Sequence, residues 1–250
     1  MRKTMFLLPC LLLFACNNPV TEREQLEKAA AGGDAIAQFN LGVKYATGDG
    51  VTKDETKAFE WFHKAAAQGN DRAEAVVGQM YATGEGVPKD EAKAIEWYQK
   101  AAAQGNSFAE NALGYMYGYG RGVPKDGTKA MEWFLKAAAH ENADGQFNLG
   151  VRYEVGQGVE KDPIKAIEWY EKAGVQRHGG AQFNLGNMYM TGIDIPKDKI
   201  RAYAWFNLGS AQNRNDAESK RDVVDLELSS QERIEAQKLS SELFAKMPKK

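Results

Sequence analysis

Trp61, Trp97, Trp133, Trp169 and Trp205 are the chain's tryptophans, and each follows the last by 36 residues. A step kept that strictly restricts the chain to folds that stack one unit on the next. Other residues keep the same step. Tyr45, Tyr81, Tyr117, Tyr153 and Tyr189 do, as do Gly42, Gly78, Gly114, Gly150 and Gly186. Gly48, Gly84, Gly120, Gly156 and Gly192 form a third series, and Lys-Asp pairs at 53–54, 89–90, 125–126, 161–162 and 197–198 a fourth.

Each unit reads as two helices. In the first copy Ala37, Leu41 and Tyr45 fall at i, i+4 and i+8, the buried stripe of a helix near Ala37 to Ala46. Gly42 lies beside that stripe, where a missing side chain admits a neighbouring helix. A second helix near Glu55 to Gln68 carries Ala58, Trp61, Phe62, Ala65 and Ala66 at i, i+3, i+4, i+7 and i+8, an amphipathic core face.

The segment between them, YATGDGVTKD at 45–54, returns as YATGEGVPKD at 81–90. A Gly-x-Gly loop with a lysine can cradle phosphate, but a Walker loop ends in Gly-Lys-Ser/Thr, which is missing here. A phosphate site also has no need of five evenly spaced copies. The segment reads as an interhelical turn. Gly48 ends the first helix in a left-handed conformation, Gly50 completes the turn, Val51 tucks back into the core and Asp54 caps the next helix. Asp162-Pro163 in the fourth copy fits, with an N-cap followed by proline at the first helical position.

The first copy, AQFNLGVKYATGDGVTKDETKAFEWFHKAAAQG at 37–69, resembles the Sel-one-like repeat (SLR) family at every fixed position of that family's pattern. The resemblance implies an all-α, right-handed α/α solenoid of five helix–turn–helix units, related in form to tetratricopeptide arrays. It also implies an adaptor or scaffold role. The units are 34–69, 70–105, 106–141, 142–177 and 178–213. Departures are local: Val77 replaces Leu, Gly145 replaces Ala, Glu141 stands where Gly69 and Gly105 stand, and Asp194 takes a loop glycine's place. The junction KAGVQRHGGAQ at 172–182 is the least regular and is expected to alter local curvature.

Both ends read as caps. Residues 16–33 hold the short N-terminal linker and a capping helix from Thr21 to Gly33. Residues 214–250 hold two more helices, Glu218 to Glu227 and Ser230 to Lys246, the latter opened by a capping box from Ser229 to Glu232. Val223, Val224, Leu226 and Leu228 on one, and Ile234, Leu239, Leu243 and Phe244 on the other, are expected to cover the last unit.

The N-terminus is a separate matter. Arg2 and Lys3 precede an apolar run from Met5 to Ala15, too short to span a membrane, which reads as a signal peptide over residues 1–15. Its end, Leu13-Phe14-Ala15-Cys16, resembles the bacterial lipobox, though Phe14 is bulkier than usual there. The resemblance implies cleavage before Cys16 and acylation of that residue, and Asn17 after it favours the outer membrane facing the periplasm. A secreted or soluble periplasmic protein is the alternative. Several acyl chains would anchor the protein stably. The only cysteines are Cys10 and Cys16, so the mature chain would hold no disulfide. The formal net charge is −2, and signal removal takes two positive charges more, so charge does not favour nucleic-acid binding.

No catalytic, metal or cofactor-binding residues are expected. His63, His140 and His178 stand at unrelated repeat positions, and neither a His-Glu-x-x-His nor a nucleophile motif such as Ser-x-x-Lys appears. Some cysteine-rich SLR relatives are described as binding or hydrolysing penicillin-like compounds, but their paired cysteines are absent. The Trp-aromatic pairs, from Trp61-Phe62 to Trp205-Phe206, are expected in the core by their phase beside the alanines.

Binding is expected on the face that the fold leaves free. On the first helix, positions 36, 39, 40, 43 and 47 point away from the 37/41/45 stripe. By resemblance to tetratricopeptide arrays this row lines a concave groove. It comprises Phe39, Asn40 and Val43; Ala75 and Gln79; Asn111 and Tyr115; Phe147, Asn148 and Val151; and Phe183, Asn184 and Asn187. Carboxamides can hydrogen-bond an extended peptide while rings pack its side chains. Equally, Phe39, Phe147 and Phe183 can pack between units, and the sequence leaves both readings open. The expected function is a monomeric, lipid-anchored scaffold for a protein or peptide. A peptidoglycan or glycan binder using Tyr115 and Tyr119, or a cell-wall hydrolase, are the alternatives.

Overall fold

The computed structural model describes residues 19–212 and 215–248. The expected signal peptide and the lipidation site Cys16 lie outside these residues. Among the described residues there are thirteen helices and no strand. Helix α1 (Pro19–Ala31) precedes five helix pairs: α2 (Ala35–Thr47) with α3 (Glu55–Ala66), α4 (Asp71–Thr83) with α5 (Glu91–Ala103), and α6 (Ser107–Tyr119) with α7 (Gly127–Ala139). The series continues with α8 (Ala143–Val155) and α9 (Pro163–Val175), then α10 (Gly179–Thr191) and α11 (Lys199–Ser210). Two helices, α12 (Asn215–Leu226) and α13 (Ser230–Ala245), close the chain.

The loop chemistry sets these boundaries. Gly48 leaves α2 at φ 80°, and its amide donates to the Lys44 carbonyl. The backbone amide of Asp54 then donates back to the Tyr45 carbonyl at 2.9 Å, which closes the turn. The Asp54 carboxylate accepts from the Lys57 amide at 3.0 Å and starts α3. Asp90, Asp126, Asp162 and Asp198 repeat the cap, with Pro163 opening α9. The first helices carry their own series of caps, Asp34, Asn70, Asn106, Asn142 and His178, which the sequence reading did not single out. In the last, imidazole Nδ1 accepts from the Ala181 amide at 3.0 Å.

Within a unit the two helices pack through the repeated glycine. A Cβ on Gly42 would stand 2.8 Å from the ring of Phe62, and one on Gly78 would stand 2.7 Å from that of Tyr98. Phe62, Tyr98, Phe134, Tyr170 and Phe206 are thus the buried aromatics of the series. Each contributes roughly 1.5–3 kcal/mol of hydrophobic burial. The tryptophans depart from expectation. Trp61, Trp97, Trp133 and Trp169 are only half-buried, and Trp205 alone of the five is in the core. Lysine ammonium groups from the next turn cover the four outer indoles, Lys64 at 4.0 Å from the Trp61 centroid and Lys100 at 3.8 Å from that of Trp97. Trp205 is followed by Leu208 where the others have lysine, and it packs into the space left by Gly174.

Units join through the second loop glycine. A Cβ on Gly122 would stand 2.8 Å from the Glu91 carbonyl at the start of α5, and Gly86 lies against Glu55 in the same way. First helices of neighbouring units also touch, α4 with α6, α6 with α8 and α8 with α10, a closeness the second helices do not match. The solenoid therefore curves with its first helices inside.

Buried polar side chains also join the helices. Gln38 accepts from Gln68 at 2.8 Å, Glu74 from Gln104 at 2.8 Å, and Gln146 from Gln176 at 2.9 Å, while Glu110 meets His140 Nδ1 at 2.8 Å. The ends are capped. Leu26 and Ala30 of α1 pack on Ala37 and Leu41. At the far end Val224, Leu228 and Ala236 pack against the last unit, and Ser229 and Glu232 form the expected capping box. Val223, Leu226, Ile234 and Phe244, expected to cover the last unit, are instead exposed. On α13 the helical phase gives the inner positions to Ala236 and Ser240, which let α13 approach α11 closely enough for Ser240 to donate to the Ala204 carbonyl.

Candidate partner-binding face

The inner row of first-helix residues divides into two classes. Asn40, Val43, Gln79 and Tyr115 are exposed, as are Ile36 and Thr47. The phenylalanines are not free. Phe39 is buried against the Phe62 ring at 5.4 Å between centroids. Phe147 lies 5.7 Å from Tyr170 and stacks on His178 at 4.4 Å, and Phe183 lies 5.8 Å from Phe206. Val151 joins the same apolar cluster. These four are packing residues, because a first helix in a stacked array is covered on two sides: by its own second helix and by the next unit.

The carboxamides are partly committed as well. Asn148 donates to Asn111 at 2.9 Å, across the joint between α6 and α8. Asn184 donates to the Tyr170 hydroxyl at 3.0 Å, and that hydroxyl donates to Glu154 at 2.6 Å. Burial and the neighbouring Glu154 carboxylate push the Tyr170 phenol above its ordinary pKa, so it stays a donor. Asn187 is half-buried. What remains free runs along the inside of the first three units.

Clefts open along that face where units meet. One of about 970 Å³ lies between α1 and α2 and includes Asn40 and Lys44. The next, about 220 Å³, includes Gln79 and Met80. A third, about 340 Å³, includes Asn111, Tyr115 and Met116. At the equivalent joint between the third and fourth units stands Arg152, aligned in the repeat with Met80 and Met116. It is only 3% exposed. Burial lowers its pKa from the usual guanidinium value. The sequence reading missed it, although the row Lys44, Met80, Met116, Arg152, Met188 carries the signal.

Among the described residues no group of three His, Cys, Asp or Glu side chains could hold a metal ion, and no helix is long and apolar enough to cross a membrane. His178 serves as a helix cap, and His140 pairs with Glu110.

The Sel1 repeat family profile matches residues 35–70, 71–106, 107–142, 143–174 and 180–213. The chain belongs to the Sel1 repeat family. The interval between the last two Sel1 matches falls on the irregular junction, where Arg177 takes φ 69° and His178 replaces the asparagine cap. A solved Sel1 repeat protein from Oxalobacter formigenes is similar, with 33% identity, 78% of this chain and 85% of that chain covered, and a TM-score of 0.66. A Sel1 repeat protein from Klebsiella pneumoniae is similar at 25% identity, with 80% and 98% covered and a TM-score of 0.54. An immunity protein from Pseudomonas aeruginosa, at 20% identity, 84% and 82% covered and a TM-score of 0.55, shares the fold. No curated protein matches this chain. Sel1 repeats form an interaction scaffold, a fold not typically enzymatic.

Proposed function

We propose that the protein is a non-enzymatic scaffold, anchored by lipid on Cys16 in a bacterial cell envelope, that holds a protein or peptide partner along its first-helix face. One observation carries the binding part. Val43, Gln79 and Tyr115 form an exposed row at unit spacing, with Asn40 one turn before Val43, lined by clefts where packing asks nothing of the side chains. Exposed carboxamides can pair with an extended backbone, and the clefts can take its side chains. The anchoring part rests on the lipobox-like Leu13-Phe14-Ala15-Cys16, and Asn17 favours the outer membrane facing the periplasm.

Crosslinking in cells tests both parts, comparing the native protein, a Cys16→Ser strain and a Gln79→Ala, Tyr115→Ala strain. One dominant envelope protein should co-purify, and it should be lost in both variants. Equal recovery from the Gln79→Ala, Tyr115→Ala strain would refute the face, and equal recovery from the Cys16→Ser strain would refute the anchor.

A glycan-binding reading draws on one feature. Tyr115 and Tyr119 are exposed, with ring centroids 4.5 Å apart. Sedimentation with purified cell wall separates the two readings.

A further inference from the structure

We propose that Arg152 anchors a carboxylate of the bound peptide at the joint between the third and fourth units. The inference rests on the groove reading above and supplies the ligand's chemistry.

Arg152 is buried, and its Nη1 has no hydrogen-bond partner among the described residues. Its Cζ lies 5.4 Å from the Phe134 ring and 6.0 Å from the Tyr119 ring. Ring faces offset part of the lost hydration of a cation, but they leave Nη1 of the guanidinium without an acceptor. A buried charge lacking a counter-charge is among the least favourable arrangements in a protein, and it points to a partner that completes it.

Two adjacent units are altered together to house this group. Met80, Met116 and Met188 hold the position of Arg152 in other units, and Ala46 and Ala82 hold that of Gly118. A Cβ on Gly118 would collide with Arg152 Nη2. The arginine and the glycine opposite it thus form one device, present at this joint and not at the two before it.

The rim faces solvent. Tyr119, against the guanidinium, is 57% exposed, and Tyr115, one turn earlier, is 46% exposed. A carboxylate that passes Tyr119 meets N–H donors in the geometry that guanidinium groups offer it. The tyrosine pair then packs the adjoining side chain of the peptide. A single guanidinium balances one negative charge, which suits a carboxylate better than a phosphate dianion.

The test compares the wild type with the Gly118→Ala, Arg152→Met double variant, which copies the joint between the second and third units. The first readout is thermal unfolding without ligand. The variant should melt higher, because it removes an uncompensated buried charge. A lower melting point would show that the guanidinium is satisfied within the fold and would overturn the proposal. The second readout is retention of random octapeptide pools on immobilised protein. The pools are one with free C-termini, the same pool amidated, and an amidated pool without Asp or Glu. Wild type should retain carboxylate-bearing pools over the acid-free pool, and the double variant should lose roughly tenfold of that preference. The amidated pool that keeps Asp and Glu tells a side-chain carboxylate from the terminal one. Equal retention of acidic pools by both proteins overturns the role of Arg152 and leaves the groove standing. Retention of no pool by the wild type removes the groove reading and the anchor with it.

Discussion

The ring of Phe134 lies so close to Gly114 that a Cβ on that glycine would stand 2.6 Å from ring carbon. Gly114→Ala, which raises helix propensity elsewhere, should here destabilise the protein by about 1–3 kcal/mol through overpacking. Phe134→Ala should cost about 3–5 kcal/mol through the cavity it leaves. Urea unfolding of both variants checks this, and a Gly114→Ala protein at least as stable as wild type would contradict the close packing.

Trp133 and Trp205 hold one repeat position in two environments. Trp133 is half-buried under the Lys136 ammonium at 3.9 Å, while Trp205 is 2% exposed and packs against Gly174. Trp205→Ala should cost about 3–5 kcal/mol, and Trp133→Ala clearly less. Tryptophan emission should report the same order, with Trp205 the least accessible to acrylamide. Equal losses of stability would count against the assignment.

Glu141 adopts φ 57° where Gly69 and Gly105 end the equivalent helices at φ 80° and 81°. A side chain in the left-handed region costs about 1 kcal/mol relative to glycine. Glu141→Gly should therefore stabilise the protein by about that amount, read as a higher midpoint of chemical unfolding. No gain would mean that the Glu141 side chain makes a compensating contact.

Glu74 is a buried carboxylate, and burial raises its pKa above the ordinary 4.5. A raised folded pKa favours the native state at low pH, and that contribution is lost as pH rises through the raised value. Glu74→Gln should therefore stabilise the protein at neutral pH, and the gain should vanish below pH 4.5. Gln38 and Gln146 show that the site accepts an amide, since each receives the same hydrogen bond from its partner glutamine. A gain that is constant across pH would rule out ionisation as its cause.

The 36-residue step made the helix pairs, the glycine turns and the aspartate caps legible, because each rests on local chemistry that repeats with the unit. The choice between adjacent aromatics was less legible. Trp133 and Phe134 differ by one helical position, and both fit a broad apolar face. The lysine three residues after each outer tryptophan was the available sign, and Leu208 after Trp205 was its counterpart. The inner-row phenylalanines were open from sequence, since period cannot tell a helix covered on one side from one covered on two. Arg152 shows a different limit: a single departure from a repeat names the odd position but not the glycine on the neighbouring helix that makes room for it.

Gly122 rests on the backbone of Glu91, and Gly86 rests on that of Glu55, so one joint serves more than one pair of neighbours. Excising residues 71–106 would bring Gly122 over Glu55, a residue of the same kind in the same place. The molecule can thus lose or gain length in whole units without inventing a contact. A lineage using this architecture can change its reach by duplication alone, leaving point substitutions such as those at 118 and 152 to set what each joint holds.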